Sequence, residues 1–407
     1  MHMFQQFDAE MRGRGIEAVV VFGDATLGNP DLTYVVGGTV GRGGVFFKRV
    51  GDHPFLIVGS SDVGTVRKLH KIQRIHTYTE YGLEKLTTKY GHEHAFTYLL
   101  GKILAEERIK GKVILSGRND LANGVNIVDQ LRKMGFIIRG EASPTLLETL
   151  RETKSVEEVE EMRQVARKTS KVVESILDIL RRLKRKRGHL ELLGKPATVG
   201  AIKAIISQKL LAEHLREPEG TIFAQGASAI PVHNIGIPGD KLKEGRLIIF
   251  DIYPQAESSY WCDMTRSFVI GRADSRAKRI YDAVFEAQTE TLAYLCEGVT
   301  GEEAVSKACD IIERHGYRTV RDVYSGKTKS ISSGLTHTLG HGVGLTIGER
   351  PHLTFGNNRP LKRGSVVTVE PGVYFAGYGG ARIEDTVVIT SRGAESLTAA
   401  EKELELT

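Results

Sequence analysis

The stretch Ser365-Val-Val-Thr-Val-Glu370-Pro-Gly-Val-Tyr-Phe-Ala-Gly377-Tyr-Gly-Gly380-Ala-Arg382-Ile-Glu384-Asp-Thr386 decides the fold. An apolar, β-branched run carries Glu370, a glycine cluster (Gly377, Gly379, Gly380) supplies a turn, and a second β-prone run carries Glu384, which predicts a hairpin. The two glutamates lie equally far from Gly377. A turn centred there sets them opposite each other across the strands, where bare carboxylates repel. Something positive belongs between them.

A related arrangement lies upstream, in Arg246-Leu-Ile-Ile-Phe-Asp251-Ile-Tyr253 followed by Tyr260-Trp-Cys-Asp263-Met-Thr-Arg-Ser-Phe-Val-Ile270. Asp251 ends one strand-like run and Asp263 lies in the next, with polar Gln255 to Ser259 as the turn. Period-two alternation places Asp263, Thr265 and Ser267 on one face and Cys262, Met264 and Phe268 on the other. One nitrogen ligand completes the set, His341 in Thr338-Leu-Gly-His341-Gly-Val-Gly-Leu345, where small neighbours leave the imidazole room to reach a metal. Four carboxylates balance two divalent cations, and oxygen ligands with one imidazole suit Mn, Co, Fe or Zn better than a thiolate-loving metal. A single acid is more often a solvated loop carboxylate or a salt-bridge partner. Repetition over two hairpins argues for a two-metal hydrolytic site, and on these residues alone both readings stay open.

The order Asp251, Asp263, His341, Glu370, Glu384, with Gly-His-Gly-Val-Gly, Val-Glu-Pro-Gly-Val-Tyr and Arg-Ile-Glu-Asp-Thr around them, resembles the "pita-bread" metallopeptidases of family M24. That group includes methionine aminopeptidase, aminopeptidase P, prolidase and the metal-free creatinase. The resemblance spans residues 150 to 395 and fills all five metal-ligand positions. It implies that Asp263 and Glu384 bridge two metals, that Asp251 holds one, and that His341 and Glu370 hold the other. Mn or Co is the metal pair it favours. It also implies a metal-bridging hydroxide as nucleophile, Glu370 as proton shuttle, and a short peptide with proline in second position as substrate, cut before the proline.

Further residues carry the resemblance. His233, in Ile230-Pro-Val-His233, matches the family's "Pro-x-His" position, where an imidazole contacts the scissile group, so it is both a catalytic and a substrate-binding candidate. Arg382 corresponds to an arginine that supports the metal site or the substrate carboxylate. One departure stands out. The family pattern "His-Gly-hydrophobe-Gly-x-x-x-His-Glu-x-Pro" here reads His341-Gly-Val-Gly-Leu-Thr-Ile-Gly348-Glu-Arg-Pro351, so Gly348 replaces the second imidazole. His352 is a candidate to fold back and bind substrate in its stead. Loss of one such donor typically costs about 10² to 10³ in rate. The departure keeps alive a pita-bread enzyme with other chemistry, a lyase or small-molecule hydrolase; a non-catalytic binding module is a further alternative, though such relatives generally lose metal ligands.

The rest of the chain sets the frame. A length of 407 residues exceeds what one core usually holds, so two domains are expected. Residues 1–145 alternate strand and helix patterns, as in Glu17 to Gly23, His53 to Gly59, Lys112-Val-Ile-Leu-Ser116 and the helical Val125 to Met134. Asn29-Pro-Asp-Leu-Thr-Tyr34 loosely resembles a segment of the creatinase and prolidase N-terminal domain. Glycines 37, 38, 41, 43 and 44 are in the wrong order for a phosphate loop and suit turns and close strand packing. Ser155-Val-Glu-Glu158 opens as a capping box for a long amphipathic helix. The expectation is an α+β chain: a smaller α/β creatinase/prolidase-like domain over 1–148, then a pita-bread metallohydrolase domain over 149–407. That N-terminal domain argues against a methionine aminopeptidase.

Composition excludes several classes. With 41% hydrophobic residues, 26% charged and no run of 18 apolar residues, the chain reads as soluble, and Met1-His-Met-Phe-Gln-Gln-Phe-Asp8 lacks the pattern of a signal peptide. A cytoplasmic location without membrane contact is expected. Cys262, Cys296 and Cys309 lack metal-type spacing and read as reduced thiols. The net charge of +6 comes largely from Arg181-Arg-Leu-Lys-Arg-Lys-Arg187, which reads as a solvated helix terminus. No aromatic residue interleaves with it, so no nucleic-acid partner is expected. A homodimer is expected by analogy with relatives that carry this N-terminal domain.

Overall fold

The computed structural model describes residues 2–69, 71–186 and 189–407. The chain divides into two compact units, Met1–Arg151 and Glu152–Thr407.

In the first unit, strands Ile16–Gly23 (β1), Gly44–Arg49 (β2), Phe55–Val58 (β3), Arg74–Thr77 (β4), Lys112–Gly117 (β5) and Ile137–Arg139 (β6) form one sheet in the order β4-β3-β2-β1-β5-β6. β1 is central, antiparallel to β2 and parallel to β5. Its run of apolar residues follows from having both faces covered. Ala18, Val20 and Phe22 join the cluster that contains Leu99, Ile103 and Leu131 of helices His92–Glu106 and Leu121–Lys133. Val19 and Val21 alternate to the other face and are equally buried. The short helix Pro30–Val36 starts where Asn29 accepts the Leu32 N–H and ends at Gly37, whose φ is +83°. A side chain at Gly43 would press on the Gly23 carbonyl, so that glycine serves a close strand approach.

The second unit opens with the helix Val156–Arg181, begun by the reciprocal Ser155–Glu158 capping box. Its buried stripe, Met162, Val165, Val173, Ile176, Leu177 and Leu180, enters one of two large cores. The helix stops at Arg181, and the basic run does not continue as a helix end as the sequence suggests. Leu183 and Leu190 turn into the core, and Lys184–Lys186 instead forms a strand antiparallel to His189–Leu192. Arg187 lies outside the described residues. Arg181 pairs with Asp178, Glu401 and Glu403, and Arg185 with Glu244, so these arginines are already balanced by acids of this unit.

Three sheets position the chemistry. Thr221–Gln225, Ile248–Ile252, Met264–Ile270 and Glu405–Leu406 form the first, in that order. Ile347–Leu353, Gly340–Val343, Val366–Val369, Asp385–Thr390 and Gly393–Ser396 form the second, and Ser333–Gly334, Gly372–Phe375 and Gly379–Arg382 the third. Helices Ser275–Tyr294 and Gly301–Arg314 pack on the second core through residues such as Ile280, Val284, Val305 and Ile312. Among the described residues, no helix is long and apolar enough to cross a membrane.

Candidate active site

The decisive hairpin is centred where its glycines place it. Val366 pairs with Val388, Val369 with Asp385, Gly372 with Arg382 and Phe375 with Gly379, each pair equidistant from Gly377, whose φ is +75°. The ladder is interrupted at Pro371, which has no N–H to give. The outer half belongs to the five-stranded sheet and the inner half to the three-stranded one, and Glu370 and Glu384 sit in the gap. The upstream hairpin differs in detail. Asp251 faces Thr265 across the ladder, while Asp263 lies one residue before its strand.

The glycines around His341 have a cause beyond room for the imidazole. A Cβ at Gly340 would lie 2.2 Å from the Thr368 carbonyl, and one at Gly342 would lie 2.3 Å from that of Arg350. Only glycines let this strand pass between its two neighbours at such distances. The imidazole is thereby delivered with Nε2 at 3.6 Å from Asp263 and 3.5 Å from Glu370.

The structure brings Asp251, Asp263, His341, Glu370, Glu384, His233 and Arg382 to the wall of one cavity of about 480 Å³. His352 is not part of that wall, contrary to its candidacy as a substrate ligand. Ile347 is the residue of its strand that lines the cavity, and five residues of extended chain separate the two by about 16 Å. Gly348 is exposed, with φ +77° and open space where a side chain would start.

Around Arg382, four residues that the motifs did not single out also matter: Tyr374, Thr265, His337 and Arg266. Arg382, 3% exposed, donates through Nη2 to Asp251 (2.5 Å), through Nη1 to the Tyr374 hydroxyl (2.8 Å) and through Nε to Thr265 (3.2 Å). Thr265 in turn donates to Glu384 (2.7 Å). His337 Nδ1 lies 2.7 Å from the Thr338 carbonyl, which can only accept, so that nitrogen carries the proton and Nε2 accepts from Tyr374 at 2.9 Å. The resulting donor chain runs Arg382 to Tyr374 to His337 to the Thr338 carbonyl. Burial, with Arg382 nearby, lowers the His337 pKa to about 3 and keeps it neutral. His337 stands four residues before His341 in the sequence, which was its one visible signal. Beneath the site, Arg266 donates to Asp385 (2.8 Å) and to the Glu384 carbonyl (2.7 Å). Its signal was a charge on the face that alternation assigns to Cys262, Met264 and Phe268.

The cavity's acids fit a cation. Burial, then Glu384, Asp251 and Glu370, hold the Asp263 carboxyl well above the usual carboxylate range, and burial with Glu370 and Asp251 does the same to Glu384. Burial pushes Glu370 to about 8, against the opposing pull of Arg382. Asp251 Oδ1 is buried and has no hydrogen-bond partner among the described residues. Burial lowers the His341 pKa, which leaves a neutral imidazole with a lone pair to offer. Nδ1 lies 3.1 Å from the Gly342 carbonyl and 3.2 Å from the Gly348 N–H; in the tautomer that donates to the carbonyl, the lone pair falls on Nε2, on the carboxylate side. Single atoms of Asp263, His341 and Glu384 lie within 4.8 Å of one another, a spacing one ion can span.

The sequence profile of metallopeptidase family M24 matches residues 160–391, more than half of the chain. The chain belongs to metallopeptidase family M24. As an M24 protein it is a metal-dependent hydrolase. It is 33% identical over 290 residues to the Xaa-Pro dipeptidase of Pyrococcus furiosus, an alignment covering 66% of this chain and 74% of that relative. The solved Xaa-Pro dipeptidase from Bacillus anthracis superposes with a TM-score of 0.77 at 23% identity, covering 100% of this chain and 99% of the other. The X-Pro aminopeptidase from Thermotoga maritima superposes at 0.74 and 25% identity, covering 98% and 99%. The fold of this M24 chain is the pita-bread fold of those structures.

Proposed function

We propose that the cavity is a two-metal peptidase centre that hydrolyses the bond before proline in short peptides. The observation that carries the reading is the convergence of four carboxylates and one neutral imidazole on a single cavity. Asp263 and Glu384 would be shared by two divalent ions, Asp251 would serve one, and His341 with Glu370 the other, with Mn or Co the ions favoured by family likeness. Bound there, such ions would acidify a water and polarise a carbonyl. The chain's own residues would do the remainder. Glu370, a ligand at the water's edge on this reading, would take the water's proton and return it to the leaving amine. Arg382 fixes the Asp251 carboxylate, and Thr265 fixes Glu384. His233, exposed in the loop after Pro231, would orient the scissile group.

The names of the relatives, Xaa-Pro dipeptidase and X-Pro aminopeptidase, support proline in second position. The test is metal content of the purified protein together with hydrolysis of an Xaa-Pro series after Mn or Co addition. Cleavage dependent on the added ion is expected, and its absence with Mn, Co, Zn and Fe alike overturns the reading. Gly348 favours a second reading, a pita-bread lyase or small-molecule hydrolase, because no imidazole is present there to stabilise a tetrahedral intermediate. Turnover of small metabolites but not of peptides would select it. The first unit is proposed to be a creatinase/prolidase-like domain, the assembly a homodimer and the compartment cytoplasmic; mass in solution tests the assembly.

A further inference from the structure

The cavity wall carries one acid that the five-residue set leaves unused. Glu219, in the turn Glu217-Pro-Glu219-Gly220 before strand Thr221–Gln225, lines the cavity beside Ile222, Val232 and Tyr253. It is exposed, and among the described residues it has no hydrogen-bond or ion-pair partner. Arg382 is the one Arg or Lys on the described wall, and it is already committed to Asp251, Tyr374 and Thr265. A substrate carboxylate entering this cavity would meet Glu219 without an uncommitted arginine or lysine of the described wall to receive it.

We propose that Glu219 makes this cavity discriminate against a free carboxylate next to the scissile bond, so that amidated Xaa-Pro and peptides of three or more residues are preferred over Xaa-Pro dipeptides. The proposal rests on the peptidase reading above and chooses the substrate class within it. A dipeptide cut at its single peptide bond must place its terminal carboxylate one residue from the reacting carbon. Each added residue moves that charge outward by about 3.5 Å. Because Glu219 is exposed, the repulsion is screened, and the preference should shrink as salt rises.

The test compares kcat/KM for Leu-Pro, Leu-Pro amide and Leu-Pro-Leu with the Mn-loaded full chain, in the wild type, Glu219→Gln and Glu219→Lys. The wild type should favour the amide and the tripeptide over the dipeptide on the order of tenfold at low salt, and Glu219→Gln should narrow the ratio. Glu219→Lys should invert it. A wild-type enzyme that cuts the free dipeptide as well as the amide, or a ratio unmoved in Glu219→Lys, overturns the proposal while leaving the peptidase reading intact. If no peptide is cleaved, the peptidase reading fails. The charge preference is then read by calorimetry, where proline binding as tightly as prolinamide overturns it.

Discussion

Glu384 and Asp385 are neighbours in the chain, each 2% exposed, and burial has opposite outcomes for them. Glu384 faces the cavity, where burial and the carboxylates of Glu370 and Asp251 hold its pKa well above the usual range. Asp385 points to the other side of the strand. Burial alone would raise it too, but Arg266 and Lys402 outweigh that and hold it below the ordinary carboxylate range. Gln288 (2.8 Å) and Thr398 (2.7 Å) complete its hydrogen bonds. Depth in the protein therefore does not mark a functional acid. A buried acid whose charge the protein leaves uncompensated is held for something else, and a compensated one holds the scaffold.

The comparison can be broken first by Asp385→Ala, which strands the Arg266 guanidinium in the interior and should cost about 3–5 kcal/mol in denaturant unfolding. Glu384→Gln, one residue away, should do the reverse. It removes one of the repelling carboxylates, so the metal-free protein should be as stable as the wild type or more so. Hydrolysis should fall by more than about a hundredfold, because even outer-shell metal partners cost about 10- to 100-fold. If the two variants lose stability alike, the distinction fails.

The pH dependence sharpens it. Glu370, raised to about 8, together with Asp263 and Glu384, binds protons more tightly folded than unfolded, so the metal-free protein should lose stability as pH rises from about 4.5 towards 8. Asp385, with its lowered pKa, contributes stability above the usual carboxylate range that is lost only as pH falls through its folded value. Thermal melts of chelated protein across pH should show the first slope, and Glu384→Gln should flatten it. The smallest effect belongs to Gly348→Ala, which touches neither acid. Its left-handed φ of +77° should cost about 1 kcal/mol with little change in metal affinity.

The hairpin was legible because its determinants are local. A glycine turn and period-two alternation set the register, and with it the approach of Glu370 to Glu384. The interruption at Pro371 and the division between two sheets depend on partner strands far away in the chain. Alternation likewise put Thr265 and Ser267 on the cavity side, where they bond Glu384 and the Arg382 backbone. His352 was misjudged because register shifts between Gly340 and Val343 and the length of the Ile347–Leu353 strand are invisible in a motif. The basic run was misread because Leu183 and Leu190, not the charges, decide where the chain goes. Tyr374 was quoted within the hairpin, yet its bond to His337 spans 37 residues and shows only in three dimensions.

The gap at Pro371, where the five-stranded and three-stranded sheets part company, has a bearing on the protein's lifetime. On the proposed ligand set, an ion seated between Glu370 and Glu384 acts as a rivet across that seam. Free ion at a hundred times its dissociation constant would add about 2.7 kcal/mol against unfolding. A cell short of the ion would then lose the polypeptide to degradation as well as its turnover, and abundance would report the ion supply.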